Sequence, residues 1–227
     1  MGANVLSVTP TEVSTPAYPV VLDLPATVNT GDLLLGGIST RPASFILNPP
    51  AGWTTLQVAS PDVARSILFA KIADGTEGGS TITLTDSTEN SVYVTAAHIY
   101  RISDWGDSLI DDITLSPDFN FDTTNSEDTL SVPTVTPKWG AGVESLFIAF
   151  GIGGKDGSTD AEVLSAPVGY TSTEAKVNIT DYHANISSGY KFGSVASESP
   201  GSYTFGSTFT NIVTNVVAIR SASVGPT

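Results

Sequence analysis

Two histidines, 23 carboxylates and three tryptophans are the groups of this 227-residue chain that could do chemistry. A general acid or base must be a titratable group held in place. His98 falls on an alternating strand pattern with Val94, Tyr100 and Ile102, and His183 falls in "TDYHANIS" with no counterpart in the other half of the chain. Both settings read as satisfied, half-buried histidines, not as a catalytic pair. With two histidines and no cysteine, disulfides and thiolate sites are excluded and no structural zinc is expected. Oxygen ligands for calcium exist in "DGSTDAE" (Asp156 to Glu162) and at Asp111 and Asp112, but neither run has EF-hand spacing, and both read as acidic solvated loops. A glycosidase needs two carboxylates facing each other across a cleft, and most of these lie in turns with no repeated pair on adjacent strands. Nucleophile-elbow, phosphate-loop and dinucleotide motifs are missing. The expectation is a non-enzymatic protein without cofactor or metal.

Each tryptophan touches a glycine, Trp53 in "PPAGWTT" and Trp105 and Trp139 in "WG" pairs. Exposed, such rings could stack on sugars. Folded back, they would plug the ends of a sandwich, with glycine granting the turn. "APVGYTST" (Ala166 to Thr173) repeats the first of these stretches with Tyr170 in the aromatic place, which favours a repeated structural corner.

The elements that must position these groups are strands. Thr, Ser, Gly and Val dominate, and only 14% of residues are charged. "STITLT" (Ser80 to Thr85) alternates, placing Ile82 and Leu84 on one face and threonines on the other. "SVYVTAAHIYRIS" (Ser91 to Ser103) and "TNIVTNVVAIRSA" (Thr210 to Ala222) are built alike, while "DLLLGGI", "SILFAKIA" and "ESLFIAFGI" are continuous apolar runs that want cover on both faces. No segment approaches the roughly 20 apolar residues of a membrane helix, and "MGANVLSVTPTEV" has no basic region ahead of an apolar one. Nine basic against 23 acidic residues, a formal charge of −14, argue against nucleic-acid binding. The sequons at Asn178 and Asn185 read as strand and turn residues.

Four landmarks recur in order. Leu33 and Leu146 are 113 apart, Trp53 and Tyr170 117, Lys71 and Lys191 120, and Arg101 and Arg220 119. Near-constant offsets indicate a degenerate repeat, with one unit over 20–104 and the other over 130–222. The connector "DWGDSLIDDITLSPDFNFDTTNSEDT" contains "SLIDDITLS", which itself reads as a strand, so a flexible joint is not expected. About five strands per unit give ten or more in all, a number that suits two packed sheets; periodicity does not decide whether each unit closes its own sandwich or the two complete one larger one, and the long apolar strands favour a single domain. The fold class is therefore all-β, a jelly-roll-like antiparallel β-sandwich over 1–227 built from two repeats. Its structural anchors are Trp53 and Tyr170 at the loop ends and Arg101 and Arg220 closing the last strand of each unit.

The ordered series "TGDLLL", "PPAGWTTL", "LFAKIADGTEGGSTITLT" and "AAHIYRI" resembles a recurrent type of virion structural protein of tailed bacteriophages, and the likeness covers most of the chain. The second copy departs from it with Val168 and Tyr170 in the places of Ala and Trp. The resemblance implies a β-sandwich or jelly-roll module on the outer surface of the particle, made in the host cytoplasm. Its implied partners are the major capsid protein or another virion protein, and further copies of itself, with homotrimers common among such proteins. Capsid decoration (cement) is the leading expectation, since the chain lacks the heptads or short repeats of a fibre shaft. The Thr/Pro-rich lead-in "SVTPTEVSTPAYP" could lie as an extended arm across a capsid protein or a sister subunit. The alternatives are a receptor- or glycan-binding module of a tail fibre or appendage, with Trp53, Trp105 or Trp139 as stacking platforms, and, last, a carbohydrate-active enzyme using turn carboxylates.

Overall fold

Alternating and continuous apolar runs become strands almost throughout. The computed structural model describes residues 2–41, 47–59, 65–86, 93–122, 129–156, 163–179, 182–205 and 211–222, and every regular element among them is a β-strand. The first half holds β1 (Asn4–Ala17), β2 (Val20–Asp23), β3 (Leu33–Arg41), β4 (Leu47–Asn48), β5 (Thr54–Ala59), β6 (Arg65–Ile72), β7 (Thr81–Asp86) and β8 (Tyr93–Ser103). A connecting strand, β9 (Ile113–Leu115), follows. The second half holds β10 (Asn120–Asp122), β11 (Thr129–Ser131), β12 (Ser145–Asp156), β13 (Val163–Ser165), β14 (Thr171–Ile179), β15 (Tyr182–Gly193), β16 (Ser202–Phe205) and β17 (Asn211–Arg220).

Among the described residues all strand pairings are antiparallel. The first half forms a five-stranded sheet in the order β1-β8-β3-β6-β5 and a three-stranded sheet β2-β7-β4. In the second half the corresponding orders are β10-β17-β12-β15-β14, with β9 also on β17, and β11-β16-β13. Strand n of the first half and strand n + 9 of the second hold the same place. Among the described residues the eight strands of each half exceed the five expected, because strands of two or three residues such as β4, β11 and β13 are too short to show a period.

The alternation of side chains decides the layering. On β3, Leu33 and Leu35 join Leu146, Ile148, Phe150 and Ile186 of the second half in one buried cluster. Its other face sends Ile38 into a cluster with Phe69 of β6 and Val20, Leu22, Ile82 and Leu84 of the small sheet. β12 mirrors this, with Leu146, Ile148, Phe150 and Ile152 in the shared cluster and Phe147 and Ala149 packed with Tyr203 and Phe205 of its own small sheet. The stack is therefore small sheet, large sheet, large sheet, small sheet. Both large sheets are covered on both faces, which is why every residue of β3 is buried and why the runs are continuously apolar. β7 keeps one wet face, with Ile82 and Leu84 buried and Thr81, Thr83 and Thr85 exposed.

One segment departs from its sequence reading. The Thr/Pro-rich lead-in is no free arm. It is most of β1, paired with β8 from Asn4↔Ser103 to Ala17↔Tyr93. Pro10 and Pro16 are tolerated because β1 is an edge strand, where an amide need not serve a second neighbour. The connector, for its part, is stitched along the end of β17: Ile113↔Ile219 belongs to a ladder, Trp105 bridges Ser221, and Gly106 N donates to Arg220 O at 3.0 Å.

Candidate functional site

The corner "PPAGWTT" is a four-residue turn. Trp53 N donates to Pro50 O at 3.2 Å, and Tyr170 N donates to Pro167 O at 3.1 Å. Gly52 (φ 89°) and Gly169 (φ 85°) take the left-handed third position that such a turn demands of a glycine. The second position points into solvent, where Val168 is 96% exposed, so the change from Ala51 to valine is free. Each turn throws its aromatic ring inward. Trp53 meets Phe69 edge-on at 5.2 Å and packs over Val28, Leu34 and Ala73. Tyr170 packs beside Phe147 and Tyr203.

A lysine–glutamate pair holds each corner. Lys71 Nζ lies 2.7 Å from Glu77 Oε1, and Lys191 Nζ lies 2.9 Å from Glu198 Oε1. Glu77 also accepts from the amides of Asp74 and Gly75, both at 3.0 Å. Its hydrogen bond with Glu77 raises Lys71 above its ordinary 10.5. Burial works to raise the Glu77 carboxyl, but the Lys71 bond and the backbone donors outweigh it and hold it below 4.5. The hydroxyl and amide of Thr76 lower Asp74 to about 2. In the second corner Tyr170 donates its hydroxyl to Glu198 at 3.1 Å under the Lys191 ammonium, and burial together with the Glu198 charge pushes its phenol up.

The two arginines are anchors of different kinds. Arg101 is buried, its Nε 2.6 Å from Asp32 Oδ2 and its Nη1 donating to Thr27 at 2.9 Å. Arg220 is partly exposed and donates to Asp112 Oδ1 at 3.3 Å, while Ser108 N donates to the other oxygen at 3.2 Å. Gly106 makes room for that carboxylate, since a Cβ there would lie 2.2 Å from Asp112 Cγ. Register shows that the arginines are not equivalents. Leu34 opposes both Lys71 and Arg101, whereas Phe147 opposes Lys191 and Ala218. Lys71 and Lys191 correspond, but the place of Arg101 belongs to Ala218, and Arg220 lies two residues further on. A shift of two keeps the same face, so the strand pattern hides it.

The structure brings together a trio that no local motif announces. His98 Nδ1 and Ser188 Oγ are 2.7 Å apart, and the Tyr100 hydroxyl lies 2.5 Å from the same Oγ. A serine beside a histidine is the geometry of an activated nucleophile. Here all three residues are 0% exposed, set between the two large sheets. The Tyr100 ring meets Phe150 and Tyr190 edge-on, and burial pushes its phenol up. Ser39 Oγ donates to Gly153 O at 3.1 Å and Asn215 to Gln57 at 3.3 Å across the same seam. These bonds fix how one large sheet sits on the other.

The remaining candidates fall into place singly. His183 is buried on β15. Trp105 is 1% exposed with Nε1 donating to Gly31 O, so it offers no stacking platform. Trp139 is half-buried, its Nε1 donating to Ser145. Among the described residues no group of three His, Asp or Glu side chains could hold a metal. Asp112 is committed to Arg220 and Ser108, and Asp111 receives the Ser108 hydroxyl. Of "DGSTDAE", residues 157–162 lie outside the described residues. A cleft of about 350 Å³ opens where Gly2, Ala3, Asp104, Glu144 and Phe192 meet, and a polar one of about 210 Å³ lies beside Trp105 and Arg220.

No protein-family model, curated protein or solved structure matches the chain. The class that the geometry defines is an all-β protein of packed antiparallel sheets.

Proposed function

We propose that the chain is a non-enzymatic virion structural protein of a tailed bacteriophage, a capsid decoration protein that cements the outer face of the head through buried contact area. The sequence resemblance motivates this reading, and one observation supports it: several of the groups able to do chemistry are engaged in holding the fold. His98 and Ser188 are sealed in the seam, Asp32 and Asp112 bind arginines, and Trp105 is core. We also read each half as a jelly roll and the pair as a degenerate duplication. The order 1-8-3-6 beside 2-7-4, recurring nine strands later, supports both. The partners on this reading are the major capsid protein or another virion protein, and further copies of the chain. Its net charge of −14 suits an outer surface that holds no nucleic acid.

Mass spectrometry of purified particles with image reconstruction tests the reading. Copies on the head surface are expected, and absence from particles or confinement to the tail would refute it. The glycan-binding alternative has lost Trp105 as a platform. Glycan-array binding by the wild type that Trp53→Ala abolishes without unfolding would revive it.

A further inference from the structure

Apolar side chains gathered on one part of a protein surface mark a place of contact. Among the described residues nine large apolar side chains are exposed, and six of them, Leu6, Ile72, Ile110, Val168, Phe192 and Val195, gather at one end of the stack. Register fixes that place. In the first large sheet the row at which β3 begins and β6 ends is Val5, Ile102, Leu33 and Ile72, and Leu6 sits in the bulge beside Val5. In the second, Phe192, Leu146, Ile219 and Ile113 form a row one step from the start of β12. Ile110 and Val195 lie three residues beyond that row, and Val168 tips the turn that leads into β14 at Thr171↔Tyr190. The two ends coincide, since Trp105 bridges Ser221 and Ala3 N donates to Ser221 Oγ at 2.8 Å. The cleft of about 350 Å³ lined by Phe192 opens between them.

We propose that this end of the stack is the face by which the chain docks onto a partner protein, and that the partner presents an apolar centre ringed by lysine and arginine. Four exposed carboxylates share the end with the apolar side chains, Asp104, Asp107, Asp111 and Glu144, and none of them makes an ion pair among the described residues. The cations of the same end are engaged already. Lys71 pairs with Glu77, Lys191 with Glu198 and Arg220 with Asp112, and Lys138 donates to the Ile110 carbonyl. Acidic groups left uncompensated beside an apolar surface select basic groups opposite, because like charges brought together in a contact cost free energy. A second copy docking by the same face would set acid against acid, and an anionic lipid surface or a nucleic acid would be repelled likewise. The identity of the partner rests on the virion reading. On that reading it is the shell protein of the head, and the large sheets stand end-on to the shell with their strands running away from it.

Phage particles grown without this protein, incubated with the purified full chain, test the docking. The wild type is expected to bind, more weakly as salt rises, and image reconstruction is expected to place Ile110, Val168 and Phe192 against the shell. Ile110→Glu and Glu144→Lys should each weaken binding roughly tenfold or more, whereas Val58→Glu, exposed on β5 toward the opposite end, should leave it unchanged. Melting curves matching the wild type establish that the variants fold. Hydroxyl-radical footprinting should find Ile110, Val168 and Phe192 open in the isolated chain and protected on particles. A wild type that binds no particle overturns the virion reading and the docking together. Binding that neither end variant weakens, a map with another face on the shell, or an isolated chain in which these side chains are already protected, by a second copy or by its own remaining residues, overturns the docking and leaves the virion reading standing.

Discussion

Gly37 lies at the middle of β3 on the face that meets the second half. A Cβ built there would sit 2.6 Å from Phe150 Cε1 and 3.2 Å from Ile186 Cδ1, both across the seam. In an ordinary strand, replacing glycine by alanine stabilises by about 0.5–1 kcal/mol through lost backbone freedom. Here the methyl must displace a buried ring between two sheets, and overpacking of this kind costs roughly 1–3 kcal/mol. Gly37→Ala should therefore destabilise by about 1–2 kcal/mol net, a fall in Tm of roughly 3–6 °C for a chain of this size. Trimming the opposing ring should relieve the clash, so the loss in Gly37→Ala/Phe150→Leu should be smaller than the sum of the two single losses. Urea titration of the four proteins of the cycle measures the coupling. A neutral or stabilising Gly37→Ala, or additive losses, would mean that the large sheets do not press on each other at this point.

Trp53→Ala should cost about 2–3 kcal/mol, less than the 3–5 of a fully buried tryptophan because the ring is half-buried; an unchanged urea midpoint would deny it a packing role. Arg101→Met leaves Asp32 buried without its partner and should cost about 3–5 kcal/mol, whereas Arg220→Met, at a partly exposed site, should cost about 1. Equal losses would contradict their unequal burial. The Lys71–Glu77 pair sets a pH window. Glu77 is held below 4.5, so its contribution is complete above that pH and lost as pH falls through its lowered value. Lys71 is raised above 10.5, so its contribution is complete below that pH and lost as pH climbs beyond. Glu77→Gln should flatten the acid limb of a plot of urea midpoint against pH, and an unaltered limb would show that the pair carries no such linkage.

Much of the strand content was open to reading along the chain, because the signal is local. The threonines of β7 alternate with Ile82 and Leu84, and the unbroken apolarity of β3 and β12 told of cover on both faces. The corner was open too, since Gly52 and Gly169 mark a positive φ that few other residues accept. Correspondence between the halves was only partly so. Offsets paired Trp53 with Tyr170 and Lys71 with Lys191, whose register agrees, but they also paired Arg101 with Arg220. A two-residue displacement preserves alternation and leaves no trace in a strand pattern.

The amino-acid sequence by itself determined an all-β fold, the turns that seat Trp53 and Tyr170, and the formal charge of −14. Local φ preferences and side-chain period suffice for these. Only the tertiary structure decided that two large sheets lie face to face between two small ones, and that the Thr/Pro-rich lead-in pairs with β8. The same holds for the meeting of His98 with Ser188, 90 residues further along the chain, inside the seam. Those outcomes depend on which apolar face covers which, a choice made by close packing between segments far apart in the chain.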